Sequence, residues 1–255
     1  MAINPYESTR LLDQYILFHY GTPSQIVPYA FAPTDATDFP VRTARAFNLV
    51  GIDGDRRRSA LDLGCAVGRS AFELSSEFDR VVAIDYSQRF IDAAEHLRKH
   101  GTLEYERCEE GVLTSPLLAV LPDCAKPARV DFRHGDVMDL PDDLGVFDLV
   151  HAANLLCRLS HPMRLLSRIP ELVHSGGLLV LATPCTWTEE FTAPDHWLGG
   201  YAEDGKRFRT LDRLKELLEC HFDLELSQDV PFLLREHARK FQWGVSLLSV
   251  WRRKG

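Results

Sequence analysis

No stretch of this 255-residue chain approaches the roughly 20 consecutive apolar residues of a membrane-spanning helix, and Met1 to Arg10 has no basic start followed by an apolar run. Neither a membrane partner nor a secretory leader is expected. Basic charge is scarce as well. Its 29 Lys and Arg against 37 Asp and Glu leave a formal charge of -8, which argues against a nucleic-acid groove, because phosphate binding needs a concentrated basic surface. The short runs Arg56-Arg57-Arg58 and Arg252-Arg253-Lys254 read as solvated loop and tail. The six cysteines, at 65, 108, 124, 157, 185 and 220, form no C-x-x-C pair and have no matching His spacing. Neither a metal site nor a disulfide framework is therefore indicated, and a cytoplasmic protein in a reducing compartment is the expectation.

What is present is concentrated between Ser59 and Ile91. Ala60, Leu61 and Leu63 make a short apolar strand, the Asp62 to Gly68 stretch breaks it, and Ser70 to Phe78 resumes at helical spacing. Arg80 to Ile84 is a second strand. Asp85 ends it, about 20 residues past the first glycine, where a Rossmann-like unit places the carboxylate that accepts ribose hydroxyls. The turn is not G-x-G-x-x-G. Gly64 and Gly68 are separated by three residues and preceded by Asp62, which suits a ligand carrying an ammonium and a sulfonium better than a pyrophosphate. This arrangement resembles the first motif of class I S-adenosylmethionine (SAM)-dependent methyltransferases; a glycine turn without a ligand is the competing reading.

At this length one α/β domain spanning 1–255 is expected. Residues 1–50 read as leading helices, one ending at Gly21-Thr22-Pro23 and a second over Val41 to Val50. They either lie over the cofactor as a lid or pack as plain core helices with His19 and Tyr20 facing solvent. Tyr86 to Lys99 is a helix stopped by Gly101, and 102–127, with three prolines, reads as an insertion of unknown use. Further strands follow at Arg129 to Arg133, Phe147 to Ala153, Leu178 to Ala182, Phe222 to Leu226 and Val245 to Trp251, with helices at Pro162 to Val173 and Thr210 to Cys220. Ser175-Gly176-Gly177 reads as the stop of the first of these helices. In open parallel sheets ligands bind beyond the carboxyl ends of the strands. Asp62, Gly64, Asp85, Asp136, Asn154 and the Thr183 to Phe191 loop are therefore expected on one rim, with Asp136 accepting from an adenine amine.

Five segments together resemble one narrower family. They are Asn4-Pro5-Tyr6-Glu7, Leu61 to Ser70, Ile84-Asp85-Tyr86-Ser87, Ala153 to Leu159, and Pro231-Phe232-Leu233-Leu234-Arg235-Glu236-His237-Ala238-Arg239-Lys240-Phe241-Gln242-Trp243. The family is the mercaptohistidine (5-thiohistidine) N-methyltransferase of ovothiol biosynthesis. The likeness spans nearly the whole chain, and its last segment is the most distinctive. It implies a mostly parallel seven-stranded sheet with an antiparallel last strand and N-terminal lid helices, SAM as cofactor, and the last step of ovothiol A formation as the activity. In many organisms this methyltransferase is the last part of a longer protein that first installs the sulfur. A separate thiohistidine-forming enzyme is thus the expected functional partner.

The resemblance also implies site residues. Tyr6, Asp62, Gly64, Cys65, Gly68, Asp85, Tyr86, Gly135, Asp136, Val137 and Asn154 would hold the cofactor. Tyr15, His19, Asn154, Arg158, Trp187, Arg235, Lys240 and Trp243 would hold the amino-acid substrate. An arginine or lysine among Arg158, Arg235 and Lys240 suits its carboxylate, Glu190 or Glu236 its ammonium, and Trp187, Trp197 or Trp243 its ring. His237 and Glu236 are the candidate bases, although a substrate deprotonated at sulfur needs none, and His237 serves equally well as a loop hydrogen-bond partner. Two competing readings remain: methyl transfer to another small molecule, and a catalytically silent fold acting as a partner subunit.

Overall fold

The computed structural model describes residues 5–52 and 57–255, so Asn4 of the first motif and Arg56 of the basic run lie outside the described residues. A 3-10 turn at Pro5–Glu7 leads into α1 (Thr9–Tyr20), α2 (Pro23–Ile26) and α3 (Phe39–Ala44). Then come β1 (Ser59–Leu63), α4 (Arg69–Leu74), β2 (Arg80–Asp85), α5 (Gln88–His100), and a hairpin of β3 (Thr102–Glu110) and β4 (Leu113–Val120). β5 (Val130–His134), β6 (Phe147–Ala153), α6 (Pro162–Leu172) and β7 (Val173–Thr183) follow. A small hairpin, β8 (Tyr201–Glu203) and β9 (Lys206–Phe208), precedes α7 (Thr210–Leu218), β10 (Phe222–His237) and β11 (Lys240–Arg253).

Seven strands form one sheet in the order β10-β11-β7-β6-β1-β2-β5. The pairs among β7, β6, β1, β2 and β5 are parallel, whereas β11 is antiparallel to both β7 and β10. This is the expected sheet with its antiparallel last strand. The central strands are apolar on both sides because both faces are covered: Leu61, Leu63, Val82 and Ile84 pack into one core, and Ala60, Val81 and Ala83 into the other. α5 starts where Ser87 Oγ accepts from the Phe90 amide at 3.2 Å and stops at Gly101, whose φ of +77° only glycine adopts without cost. Gly68 opens α4 at φ +86°, and a Cβ there would lie 2.6 Å from Phe132. That close approach seats the turn against β5.

Several elements differ from the sequence expectations; the second leading helix, expected over Val41 to Val50, is α3 followed by a 3-10 turn at Ala46–Leu49. The 102–127 insertion is the β3–β4 ribbon, turned at Gly111 with φ +58°. Instead of running on to Phe78, α4 ends at Leu74. Ser175-Gly176-Gly177 does not separate a helix from a strand but lies inside β7. Most consequential for the site, the segment from Pro231 to Trp243 is not a connection; it is the distal half of a long β10–β11 hairpin. Among the described residues, no helix is long and apolar enough to cross a membrane.

Candidate active site

The carboxyl ends of β5, β2, β1 and β6 open on a cavity of about 950 Å³, closed from the other side by α1, α3 and the β10–β11 hairpin. Along this rim Asp136 and Val137 follow β5, Asp85 and Tyr86 mark the end of β2, Gly64 follows β1, and Asn154 follows β6; all six line the cavity. Asn154 holds its place through a left-handed backbone (φ +54°) and a 2.7 Å hydrogen bond accepted by Oδ1 from Ser246 of β11.

The glycine turn uses its own amides. Gly64 and Cys65 donate to the Ile84 carbonyl at 2.8 and 3.1 Å, Gly68 to the Cys65 carbonyl at 2.9 Å, and Ala66 to Asp85 Oδ2 at 2.8 Å. With those donors engaged, they are not free to cradle a pyrophosphate, in keeping with a cofactor that lacks one. Cys65, Gly68 and Gly135 lie outside the cavity wall. They act through the backbone: Gly135, for example, donates to the Asp85 carbonyl at 2.9 Å.

Asp85 accepts from Ala66 on one oxygen and from Ser87, at 2.9 Å, on the other, which leaves each oxygen a lone pair for a ribose hydroxyl. Burial pushes its pKa up to about 6, against the opposing pull of the Ser87 and Ala66 amides. Asp136 Oδ1 is partly engaged by the Met138 amide at 2.8 Å. Asp62 departs from expectation. It is 1% exposed and lies behind His151, so the acid does not itself form the cavity surface.

Helix α1 is a lid. Tyr20 donates its hydroxyl to the Val67 carbonyl at 2.7 Å, tying the helix to the glycine turn. Tyr15 stacks 4.9 Å from Phe90, and Ser87 donates to the Tyr6 carbonyl at 3.2 Å. Tyr6, Tyr15 and His19 all line the cavity. His19 is buried, not solvent-facing; burial, with the charge of Arg69 in the same direction, pushes its pKa down to about 3. It is therefore a neutral imidazole near pH 7, and its Nδ1 has no partner among the described residues.

Beyond the rim the cavity turns aromatic. Phe39 packs 6.0 Å from Phe18 and 5.5 Å from Phe232, and Trp243 and Gln242 of β11 complete that wall. Arg158 holds its guanidinium 4.3 Å from the Phe191 ring centre, with Glu190 nearby in the same wall. It forms no ion pair among the described residues.

Several expected site residues are not brought to this cavity, and strand register is the reason. Phe232 and Leu234 line it, so Arg235, one residue on, belongs to the other face; it is 3% exposed, paired with Glu109, and donates to the Gln25 and Ile26 carbonyls. Glu236 sits at a register shift and binds Lys240 at 2.7 Å and Gln242 at 2.9 Å. His237 accepts from the Arg239 amide at 3.3 Å in the hairpin tip. Glu236, His237 and Lys240 thus engage neighbours within the hairpin and Arg235 ties it to β3 and α2, and none of the four lines the cavity. Trp187 is a core residue whose Nε1 donates to Thr210 at 2.9 Å, and Trp197 donates to the Thr192 carbonyl. Conversely, Phe18, Phe39 and His151 are cavity residues that no motif contains, and Phe232, Leu234 and Gln242 lie in the distinctive last segment without being among the expected site residues. The alternation Phe232, Leu234 is a strand signal that points to two of them.

Residues 61–181 match the family model described as a methyltransferase domain. No curated protein sequence matches the chain. Among solved structures, a methyltransferase of Bacillus halodurans C-125, described as putative, superposes with a TM-score of 0.54 at 16% identity, covering 84% of this chain and 99% of the other. The N-methyltransferase NodS of Bradyrhizobium japonicum WM9, solved with S-adenosyl-L-homocysteine, has a TM-score of 0.53 at 14% identity over 97% and 100%. A structure described by the conversion of a disulfide bond into a thioacetal group during echinomycin biosynthesis gives 0.53 at 15% identity over 83% and 81%. At these identities the likenesses establish the fold.

Proposed function

We propose, from the methyltransferase domain that residues 61–181 carry, that this protein is a SAM-dependent enzyme that N-methylates the imidazole ring of 5-thiohistidine, the last step of ovothiol A formation. The observation that carries the reading is the two-part cavity. A rim bearing Asp136, Asp85 and Gly64 in strand order joins an aromatic compartment closed by the very segment, Pro231 to Trp243, that carries the distinctive family likeness. Its volume of about 950 Å³ is at the upper end of the roughly 300–1,000 Å³ of single-ligand pockets, which leaves room for a cofactor and a small acceptor together.

Each residue has a defined task in this reading. Asp136 accepts from the adenine amine, and Asp85 accepts both ribose hydroxyls. Arg158 takes the acceptor's carboxylate, Glu190 its ammonium, and Phe39, Phe232 and Trp243 offer flat faces to the ring. When bound, SAM supplies a methyl group on a sulfonium, open to in-line attack. The chain's contribution is to aim the ring-nitrogen lone pair along that line and keep water out, the orientation effect that dominates such displacements. A thiolate-bearing imidazole is nucleophilic without a strong base, which accords with a cavity wall that includes neither His237 nor Glu236. The test is a panel of histidine, 5-thiohistidine and 2-thiohistidine with SAM, read by mass. Methylation of 5-thiohistidine alone is expected; turnover of a different acceptor would replace the substrate while keeping the reaction class.

A further inference from the structure

β1 and β6 run side by side in a register that sets Asp62 against His151. Both side chains are 1% exposed, and His151 Nδ1 lies 2.7 Å from Asp62 Oδ1. A carboxylate opposite Nδ1 makes that nitrogen the N–H donor and leaves the lone pair of the neutral imidazole on Nε2. Neither His151 Nε2 nor Asp62 Oδ2 has a partner among the described residues, yet His151 forms part of the cavity wall. Buried polar atoms left open in this way are uncommon, because each forfeits the hydrogen bonds it had in water, and a ligand that completes them removes that cost.

The order of the strands decides which part of a ligand arrives there. In the proposed function adenine meets Asp136 beside β5 and ribose meets Asp85 beside β2, and the next two strands are β1 and β6. Neighbouring strands lie about 4.8 Å apart, so a ligand laid out as base, ribose and amino acid reaches β1 and β6 with its amino-acid end. Charge then chooses between the two ionic groups of that end. The pair carries the Asp62 carboxylate, Asp85 stands one strand away, and among the described residues the single Arg or Lys in the cavity wall is Arg158. A cation is favoured over an anion at such a floor.

We propose that His151 Nε2 accepts a hydrogen bond from the α-ammonium of SAM, with Asp62 as the positioning residue that fixes the imidazole tautomer and supplies the counter-charge. The proposal rests on the SAM reading and deepens it. His151→Asn keeps a donor toward Asp62 at the Nδ1 position and removes the atom at Nε2. Parent and variant are titrated calorimetrically with S-adenosylhomocysteine and with 5′-methylthioadenosine, which retains base, ribose and thioether but lacks the amino-acid end. The variant is expected to lose about tenfold or more in affinity for S-adenosylhomocysteine while 5′-methylthioadenosine stays within about twofold. His151→Gln, which places an amide near the Nε2 position, should recover part of the loss. Equal losses for both ligands, or no loss for either, overturn the proposal. If His151→Asn does not fold, Asp62→Asn is read with the same two ligands, and an unchanged ratio of affinities overturns it. A parent that binds neither ligand overturns the SAM reading, and this proposal with it.

Discussion

Asp85 ties the glycine turn to β2 and also lines the cavity, so in the proposed reading a single carboxylate links loop geometry to cofactor affinity. Its pKa of about 6 stands above the roughly 3.9 of an unfolded chain. The folded state therefore holds this proton more tightly. The group's contribution to stability is fully present below about pH 4 and is lost as pH rises through about 6. In the proposed reading cofactor binding runs the other way, because ribose hydroxyls would donate to the ionised form. SAM affinity should rise between about pH 5 and pH 7, with proton release on binding near pH 6, measurable by calorimetry in buffers of different ionisation enthalpy. Asp85→Ala should abolish that dependence and cost about 1.5–3 kcal/mol of binding for each charged hydrogen bond lost. A pH-independent affinity in the parent would show that this carboxylate does not meet the ribose. At this scale Asp85 and Asp136 are legible from sequence, since each follows an apolar strand at a recognisable break. His151 is not: it lies mid-strand, and its partner Asp62 is 89 positions away.

The elements show where local pattern stops being informative. All seven sheet strands are readable, the buried parallel ones as short apolar runs bounded by Gly, Pro and polar clusters and β10 by the alternation of Phe222, Leu224 and Leu226. The extension of β10 is hidden by Pro231, which argues against a central strand but is tolerated at the sheet's edge, where β10 lies. Pro116 masks β4 of the two-stranded ribbon in the same way. Once β10 continues through 231–237, the alternation of side chains sets the face of each residue, and Arg235 falls opposite Phe232 and Leu234. It then clamps the hairpin to β3 and to the end of α2 through Glu109 and the Gln25 and Ile26 carbonyls. Arg235→Ala should accordingly lower stability by about 2–4 kcal/mol, seen in denaturant unfolding, with substrate effects following only from a loosened hairpin. A fully stable variant with a raised substrate KM would instead return Arg235 to the substrate.

For the molecule as a whole, the fold assembles one cavity from distant parts of the chain: N-terminal residues between 6 and 19, rim residues spread from 64 to 154, and a hairpin wall from 232 to 245. The rim offers carboxylates and backbone groups, whereas α1, α3 and the hairpin supply the aromatic compartment that would distinguish one acceptor from another. The account therefore depends first on the rim binding SAM and only then on the acceptor. Calorimetric titration of the whole chain with S-adenosylhomocysteine at neutral pH tests this most directly. The account predicts saturable binding of one ligand per chain that competes with SAM; a titration with no binding heat across temperatures, and no competition, would contradict it and leave a methyltransferase fold that does not use the cofactor.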